Sequence, residues 1–271
     1  MISSPSSGTG DRFSATVAAR AAIAGWVNGL GESINALVFP WSCALCGAEG
    51  TDGPLCSFCR RAVLEQSAVS AASACPRCAL PVGPFAELRG GCGECRGRSM
   101  GFDAALALGL YEGPLKDLCL RIKHERNAWL APWLGELFVE ARGEAVRDLP
   151  ADTWVVPVPL HWWRQWRRGY NQSEVLARSL ARRLGLSYHR SLRRVRATPK
   201  LAFKGHTERT DLMRGAFRAR SRSMSRLAGR TVLLVDDVLT TGATCGDAAR
   251  ALKRAGAARV VAVVIARADK H

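Results

Sequence analysis

Two adjacent carboxylates, Asp236 and Asp237, follow a short apolar run of Val232, Leu233, Leu234 and Val235. After Val238 and Leu239 comes a small, hydroxyl-rich stretch of Thr240, Thr241, Gly242, Ala243 and Thr244. The apolar run has the pattern of a strand buried on both faces of a parallel sheet, so the acids are expected where that strand leaves the sheet. Good helix formers then run from Cys245 to Ala255, with a stop at Gly256. Strand, loop and helix in that order aim the loop N–H groups and the positive end of the helix dipole at one place, where an anion would sit. Gly242 permits a close backbone approach, and three threonine hydroxyls can donate to phosphate oxygens. The acids would repel a phosphate; they suit ribose hydroxyls or a Mg²⁺ ion beside it. A plain βα turn capped by threonine needs one hydroxyl and no paired acids.

The thirteen positions from Val232 to Thr244 resemble the 5-phosphoribosyl 1-pyrophosphate (PRPP) motif of type I phosphoribosyltransferases. The resemblance implies that Asp236 and Asp237 hold the ribose diol, and that Thr240, Thr241, Gly242, Ala243 and Thr244 hold the 5′-phosphate.

A second chemistry is written in the cysteines. Eight of ten fall into four C-x2-C pairs: Cys43/Cys46, Cys56/Cys59, Cys75/Cys78 and Cys92/Cys95. One such knuckle faces two thiolates toward a tetrahedral Zn²⁺, and two knuckles complete a closed four-thiolate site. Iron–sulfur proteins use other spacings. Neighbouring knuckles can pair, or the pairing can interleave. Either way four protein ligands leave no open position, so structural Zn is expected, with a supporting or partner-binding role. The segment is rich in Gly, Pro and polar residues and has little core of its own, so metal would supply much of its folding free energy. Cys119 and Cys245 are expected to stay free.

The elements that position these groups alternate. Phe102 to Gly109 reads as a strand, Pro114 to His124 as a helix, Ala131 to Arg147 as a second helix and Thr153 to Val158 as a buried strand. A basic–aromatic stretch, His161 to Gln172, reads as a loop in which Arg164, Arg167 and Arg168 alternate with Trp162, Trp163 and Trp166. It could bind pyrophosphate, or stack the bases of single-stranded DNA while neutralising its backbone; packed tryptophans beside solvated arginines are the plainer reading. A helix over Ser173 to Leu184 and a strand over Tyr188 to Val195 follow. Arg196 to Arg214 has no clear period and reads as a mobile loop offering Lys200, Lys204 and Arg209 to a pyrophosphate. Val260 to Ile265 is the last buried strand. Strands alternating with helices give an α/β parallel sheet with its site at the strands' C-terminal ends.

Composition bounds the reading. The 271 residues carry a formal charge of +16 and are 48% hydrophobic, with a pI near 10.1. The chain can therefore build a sizeable core, and it suits phosphate-bearing or polyanionic partners. Arg far outnumbers Lys, as in ordinary proteins of GC-rich genomes, which halves the weight of that charge. Met1 to Asp11 is Ser/Gly/Pro-rich and expected to be disordered. Arg12 to Phe39 has Val17, Ile23, Trp26, Leu30, Ile34 and Leu37 at loosely helical spacing. With no charged n-region before an apolar core and no long uncharged apolar run, neither a secretory signal nor a membrane span is expected. A cytoplasmic setting follows.

As a whole the chain resembles the ComF family (ComFC/GntX-like), which joins a cysteine-rich zinc module to a phosphoribosyltransferase-like domain. The resemblance rests on Phe39-Pro40 before Cys43, Tyr111-x-Gly113 with Lys123, and Val156-Pro157-Val158-Pro159-Leu160. It continues through Arg168-Gly169-Tyr170-Asn171-Gln172, Arg214-Gly215-Ala216-Phe217 and the Val235 to Thr244 core. It implies an N-terminal segment over 1–35, a double zinc-ribbon module over 36–100 and a phosphoribosyltransferase-like domain over 101–271. It also implies PRPP or a related ribose phosphate as ligand with Mg²⁺, pentosyl transfer as the reaction, and a link to DNA uptake with a partner motor or competence protein. A small-molecule phosphoribosyltransferase of nucleotide metabolism and a non-catalytic PRPP sensor that binds DNA are the alternatives. One departure concerns the loop: where the family has Gln and Arg-x-x-Asn, this chain has Lys200-Leu201 and Arg209-x-Asp211-Leu212.

Overall fold

The computed structural model describes residues 41–197 and 211–269, and the chain divides into two compact units, Met1–Cys56 and Ser57–His271. The expectations for 1–40, and for Lys200, Lys204 and Arg209, lie outside the described residues. In the first unit, β1 (Trp41–Ser42) pairs antiparallel with β2 (Glu49–Thr51). The turn between them is closed by Gly47 N–H donating to the Cys43 carbonyl at 2.9 Å and Cys43 N–H to the Ala48 carbonyl at 2.8 Å.

The second unit begins with α1 (Ser57–Ala72), a helix that the reading of the cysteine segment does not contain. Its buried positions, Cys59, Val63 and Ser67, recur every four residues, too narrow a stripe to stand out beside the cysteine pattern. Next come β3 (Ala104–Leu110), α2 (Gly113–Arg121), α3 (Leu130–Arg142), α4 (Glu144–Arg147), β4 (Trp154–Pro157) and α5 (Trp162–Arg168). They are followed by α6 (Gln172–Leu184), β5 (Ser187–Tyr188), β6 (Leu192–Arg194), β7 (Phe217–Ala219), α7 (Ser221–Leu227), β8 (Thr231–Leu239), α8 (Ala243–Arg254) and β9 (Arg259–Arg267). One sheet, ordered β3-β9-β8-β4-β5, is parallel throughout. Its central strands are apolar because helices cover both faces. Val232, Leu234, Val260, Ala262 and Val264 are fully buried, and each such Val or Leu contributes about 1.5–3 kcal/mol.

Four expectations are corrected. Strand β8 does not leave the sheet at the acids: Asp236 is paired with Val264 and Leu239 with Arg267. The carboxylates tolerate this burial because side chains from other elements bond to them. The single helix expected to end at Arg147 breaks at Gly143, where glycine costs about 1 kcal/mol against alanine. The stretch His161 to Gln172 is not all loop. It contains α5, capped by the His161 side chain, which accepts from Trp163 N–H, and ended by Gly169 at φ 74°. The strand expected over Tyr188 to Val195 is two strands. Ser187–Tyr188 stays on the main sheet beside β4, while Leu192–Arg194 turns away to pair antiparallel with β7. Among the described residues, no helix is long and apolar enough to cross a membrane.

Candidate functional site

Helix α6 starts beneath the end of β8, and its first residues reach the acids. Asn171, the N-cap, accepts from Ser173 N–H at 3.2 Å and donates through Nδ2 to the Val158 carbonyl just past β4, also at 3.2 Å. That double role fixes the helix end against the sheet end. From there Ser173 Oγ donates to Asp236 Oδ1 at 2.9 Å, and Gln172 Nε2 donates to Asp237 Oδ2 at 3.3 Å. Each acid also accepts from the backbone: Asp236 Oδ1 from Asp237 N–H at 2.9 Å, and Asp237 Oδ1 from Val238 N–H at 3.0 Å. Lys123, past the end of α2, places Nζ 3.8 Å from Asp237 Oδ2.

Both acids are buried. Burial, and then the neighbouring Asp237 charge, push the Asp236 carboxyl well above the usual carboxylate range, against the pull of the Ser173 hydroxyl. Two orphaned atoms sit with them. Gln172 Oε1 and the Tyr170 hydroxyl are buried with no hydrogen-bond partner among the described residues. Burial pushes Tyr170 up to about 12, with Arg168 pulling it down and Asp237 raising it. Buried polar atoms are normally paired, so two unpaired ones beside two carboxylates suit a ligand bearing hydroxyls.

The loop beyond the acids enters α8 through Gly242, at φ 79° in the left-handed region. The positive φ is what calls for glycine; a β-carbon there would lie 2.8 Å from Met100 Cε, the end of a flexible side chain that can move aside. Thr241 Oγ1 accepts from Ala243 N–H at 3.4 Å. Thr240 to Thr244 thus lie at the N-terminus of a twelve-residue helix, where dipole and N–H groups favour an anion. Asp247, one turn further, is buried and holds a different segment: its two oxygens accept from Gly215 N–H at 3.0 Å and Phe217 N–H at 3.1 Å. Sequence reading passed over Asp247; an acid between Ala243 and Ala251 on a helix face is the signal that points to it. It also passed over Ser173 and Arg267, whose places emerge only from packing.

The basic–aromatic stretch lies on α5 with its tryptophans in solvent. Trp162 and Trp166 are 70% and 79% exposed and Trp163 is half-exposed. Arg168 is partly buried; the side chains of Arg164 and Arg167 are outside the described set. Near the β4 end, Arg190, Arg193, Arg194 and Arg220 line a cleft with Trp162 and Glu174.

The thiols gather as neighbouring knuckles: Cys43, Cys46, Cys56 and Cys59 in one group, Cys75, Cys78, Cys92 and Cys95 in the other, with the sulfurs of each within 4.8 Å of one another. Four sulfurs at 2.3 Å around a tetrahedral zinc stand about 3.8 Å apart. The Cys75–Cys95 and Cys92–Cys95 sulfurs are separated by 3.8 Å and the Cys78–Cys92 pair by 3.6 Å, which fits that ion. Burial pushes the Cys78 thiol up, and burial also raises Cys95; a bound cation offsets that cost of collecting thiolates. Cys119 and Cys245 are buried outside both groups.

Comparison with known proteins supplies the rest. The phosphoribosyl transferase domain family matches residues 171–271, and the double zinc ribbon domain family matches residues 34–96. A protein of Salmonella typhi named DNA utilization protein YhgH is 34% identical over 76% of this chain and 87% of its own length. Competence protein F of Haemophilus influenzae is 30% identical over 79% of this chain and 90% of its own. The Escherichia coli DNA utilization protein YhgH is 33% identical over 81% and 92%.

Proposed function

Because the chain belongs to the ComF family, joining a double zinc ribbon to a phosphoribosyl transferase domain, we propose that it binds PRPP or a related ribose phosphate and serves the uptake or use of DNA. The observation that carries the ligand is the buried pair Asp236 and Asp237 with unpartnered Gln172 Oε1 and Tyr170 OH beside it, next to a threonine-rich loop at a helix N-terminus. The acids and Gln172 hold the ribose hydroxyls; Thr240 to Thr244 hold the 5′-phosphate. Ser173, Gln172 and Lys123 engage the acids; Asp236 and Asp237 are the carboxylates that would help hold a Mg²⁺ ion brought with the ligand's pyrophosphate, where it would neutralise phosphate charge. Lys123, which reaches Asp237, and Arg168 are the described candidates to meet the ligand's pyrophosphate; Lys200, Lys204 and Arg209 keep that role as candidates from the sequence.

If the chain transfers the pentosyl group, positioning and charge stabilisation at the ribose C1 supply the acceleration. Calorimetry with PRPP and Mg²⁺ tests the reading. Replacing both Asp236 and Asp237 by Asn should weaken binding strongly, since a charge-assisted hydrogen bond lost at Asp237 is worth roughly 1.5–3 kcal/mol. An unchanged affinity rejects the site.

The exposed tryptophans of α5 favour a second role on the same chain, a grip on single-stranded DNA. The names of the relatives, which speak of DNA utilization and competence, support it. A motor or competence protein would then be the partner that moves the strand.

A further inference from the structure

We propose that Arg267 is the positioning residue of the phosphate loop, and that it ties this loop to the second four-thiol site. The inference rests on the reading of Thr240 to Thr244 as a phosphate site.

Arg267 ends β9 beside Leu239, and it is 5% exposed. Its partners among the described residues are four backbone carbonyls and no carboxylate. Nε donates to the Cys78 carbonyl at 2.9 Å. Nη1 donates to Leu239 at 3.0 Å, to Thr240 at 2.5 Å and to Ala268. The planar guanidinium presents Nε to Cys78 and Nη1 to the other three carbonyls, so its rigid fork holds these acceptors in fixed directions.

Two of those acceptors stand where the chain leaves the sheet: Leu239 ends β8, its carbonyl also accepting from Ala268 N–H at 2.9 Å, and Thr240 opens the loop. A trans peptide is planar, so each carbonyl and the following N–H point to opposite sides. Holding the Leu239 and Thr240 carbonyls toward the guanidinium therefore turns the N–H groups of Thr240 and Thr241 away from it. Those N–H groups are set in advance for an anion, and a positive charge stands behind them. Arg267 thus acts through the loop and not by contact.

The third acceptor belongs to the thiol cluster. Cys78 is one of the four buried cysteines, and the next residue, Ala79, has φ 57°, a left-handed conformation that alanine rarely takes. The knuckle is closed by Ala79 N–H to the Cys75 carbonyl and Cys75 N–H to the Leu80 carbonyl, both at 2.8 Å. A strained turn of this kind persists only where its surroundings hold it, and the metal that the thiols fit is the strongest local restraint. Metal in the second site keeps the Cys78 carbonyl in place; Arg267 transmits that to the loop. Linkage makes the coupling reciprocal, so a ligand on the loop must slow loss of the metal.

The test uses the full zinc-loaded chain, ribose 5-phosphate as probe, and the variants R267A and R267K. Calorimetry should show ribose 5-phosphate bound roughly tenfold more weakly by R267A, with both zinc ions retained. Millimolar guanidinium should restore part of the affinity where matched sodium chloride does not. In the wild type, saturating ribose 5-phosphate should slow zinc release to a coloured chelator; in R267A at saturation it should not. Should R267A fail to fold, R267K carries the same tests, because an ammonium cannot span the same carbonyls and is expected to lose affinity too. Variants that keep wild-type affinity, or zinc release in the wild type that ignores the ligand, overturn the inference. A wild type that binds neither ribose 5-phosphate nor PRPP overturns the phosphate site first, and the inference with it.

Discussion

Ser173 Oγ donates to Asp236 Oδ1 at 2.9 Å, so one hydrogen bond joins the start of α6 to the end of β8 where the ribose is proposed to sit. It does not make that carboxylate comfortable. Burial, with the Asp237 charge, still raises Asp236. The folded chain therefore holds a proton there that the unfolded chain releases near the ordinary carboxylate value of 3.8. This group's contribution is therefore fully present below that value and is lost as pH rises through the raised folded pKa. D236N removes the titration while keeping an acceptor for Ser173. Ligand-free D236N should melt about 2–4 °C above the wild type at neutral pH, corresponding to about 1 kcal/mol, with a flatter pH profile and weaker PRPP binding. A lower melting point at every pH would mean that the ionised acid stabilises the fold.

Metal analysis should find two zinc ions per chain. C75S should lose one of them and C119S none, because Cys75 belongs to a four-thiol group and Cys119 lies alone in the core. Chelation should lower the melting temperature of the wild type, since binding free energy at such sites is folding free energy. Iron in place of zinc, or full zinc in C75S, would contradict the assignment.

Exposed side chains separate binding from folding on α5. Changing Trp162, Trp163 and Trp166 to Ala should leave unfolding within about 0.5 kcal/mol per site. The same changes should cost about 1–3 kcal/mol for each stacked base of a labelled single strand. Affinity should also fall by about 0.7 log units per log unit of salt for each neutralised phosphate. Salt dependence without tryptophan dependence would mark a merely basic surface and remove the DNA role from α5.

Backbone meets backbone at Gly246. A β-carbon there would stand 2.4 Å from the Met100 carbonyl oxygen, and one at Gly101 would stand 2.3 Å from the Gly246 carbonyl. Helix α8 can seat against the 100–102 segment only because both side chains are absent. G246A should cost about 1–3 kcal/mol by overpacking, whereas a wild-type denaturation midpoint would show that α8 can shift outward freely.

The central strands and the ligand loop were legible because a parallel sheet buries both faces of its strands: Val232 to Val235 and Val260 to Ile265 are continuous apolar runs. The cysteine spacing was legible for another reason, since metal geometry acts over a few residues. Legibility failed where the decisive partner is distant. Leu192 and Ala219 pair although far apart in sequence, and nothing local marks either as a strand end. Arg267 reads as a charge closing an apolar run; only the fold surrounds it with the carbonyls of Cys78, Leu239 and Thr240. Helix α5 was read as loop because its tryptophans and arginines make no apolar stripe, and the helix faces water instead of a core.

The strand order carries a consequence for the chain's synthesis. Strand β3 lies at the sheet edge with β9 as its neighbour, and Ala104 aligns with Val261. At about 5–20 residues per second on the ribosome, β3 waits roughly 8–30 s after emerging before the strand that covers it exists. Its alternating Ala and Leu residues, with the N–H groups of an open edge, are exposed to other nascent chains throughout that interval. Strands β4 and β8 meanwhile can pair as soon as β8 is made. The protein should therefore depend on trigger-type chaperones during translation and, when overproduced quickly, collect in inclusion bodies; slower synthesis at low temperature should raise the yield of soluble chain.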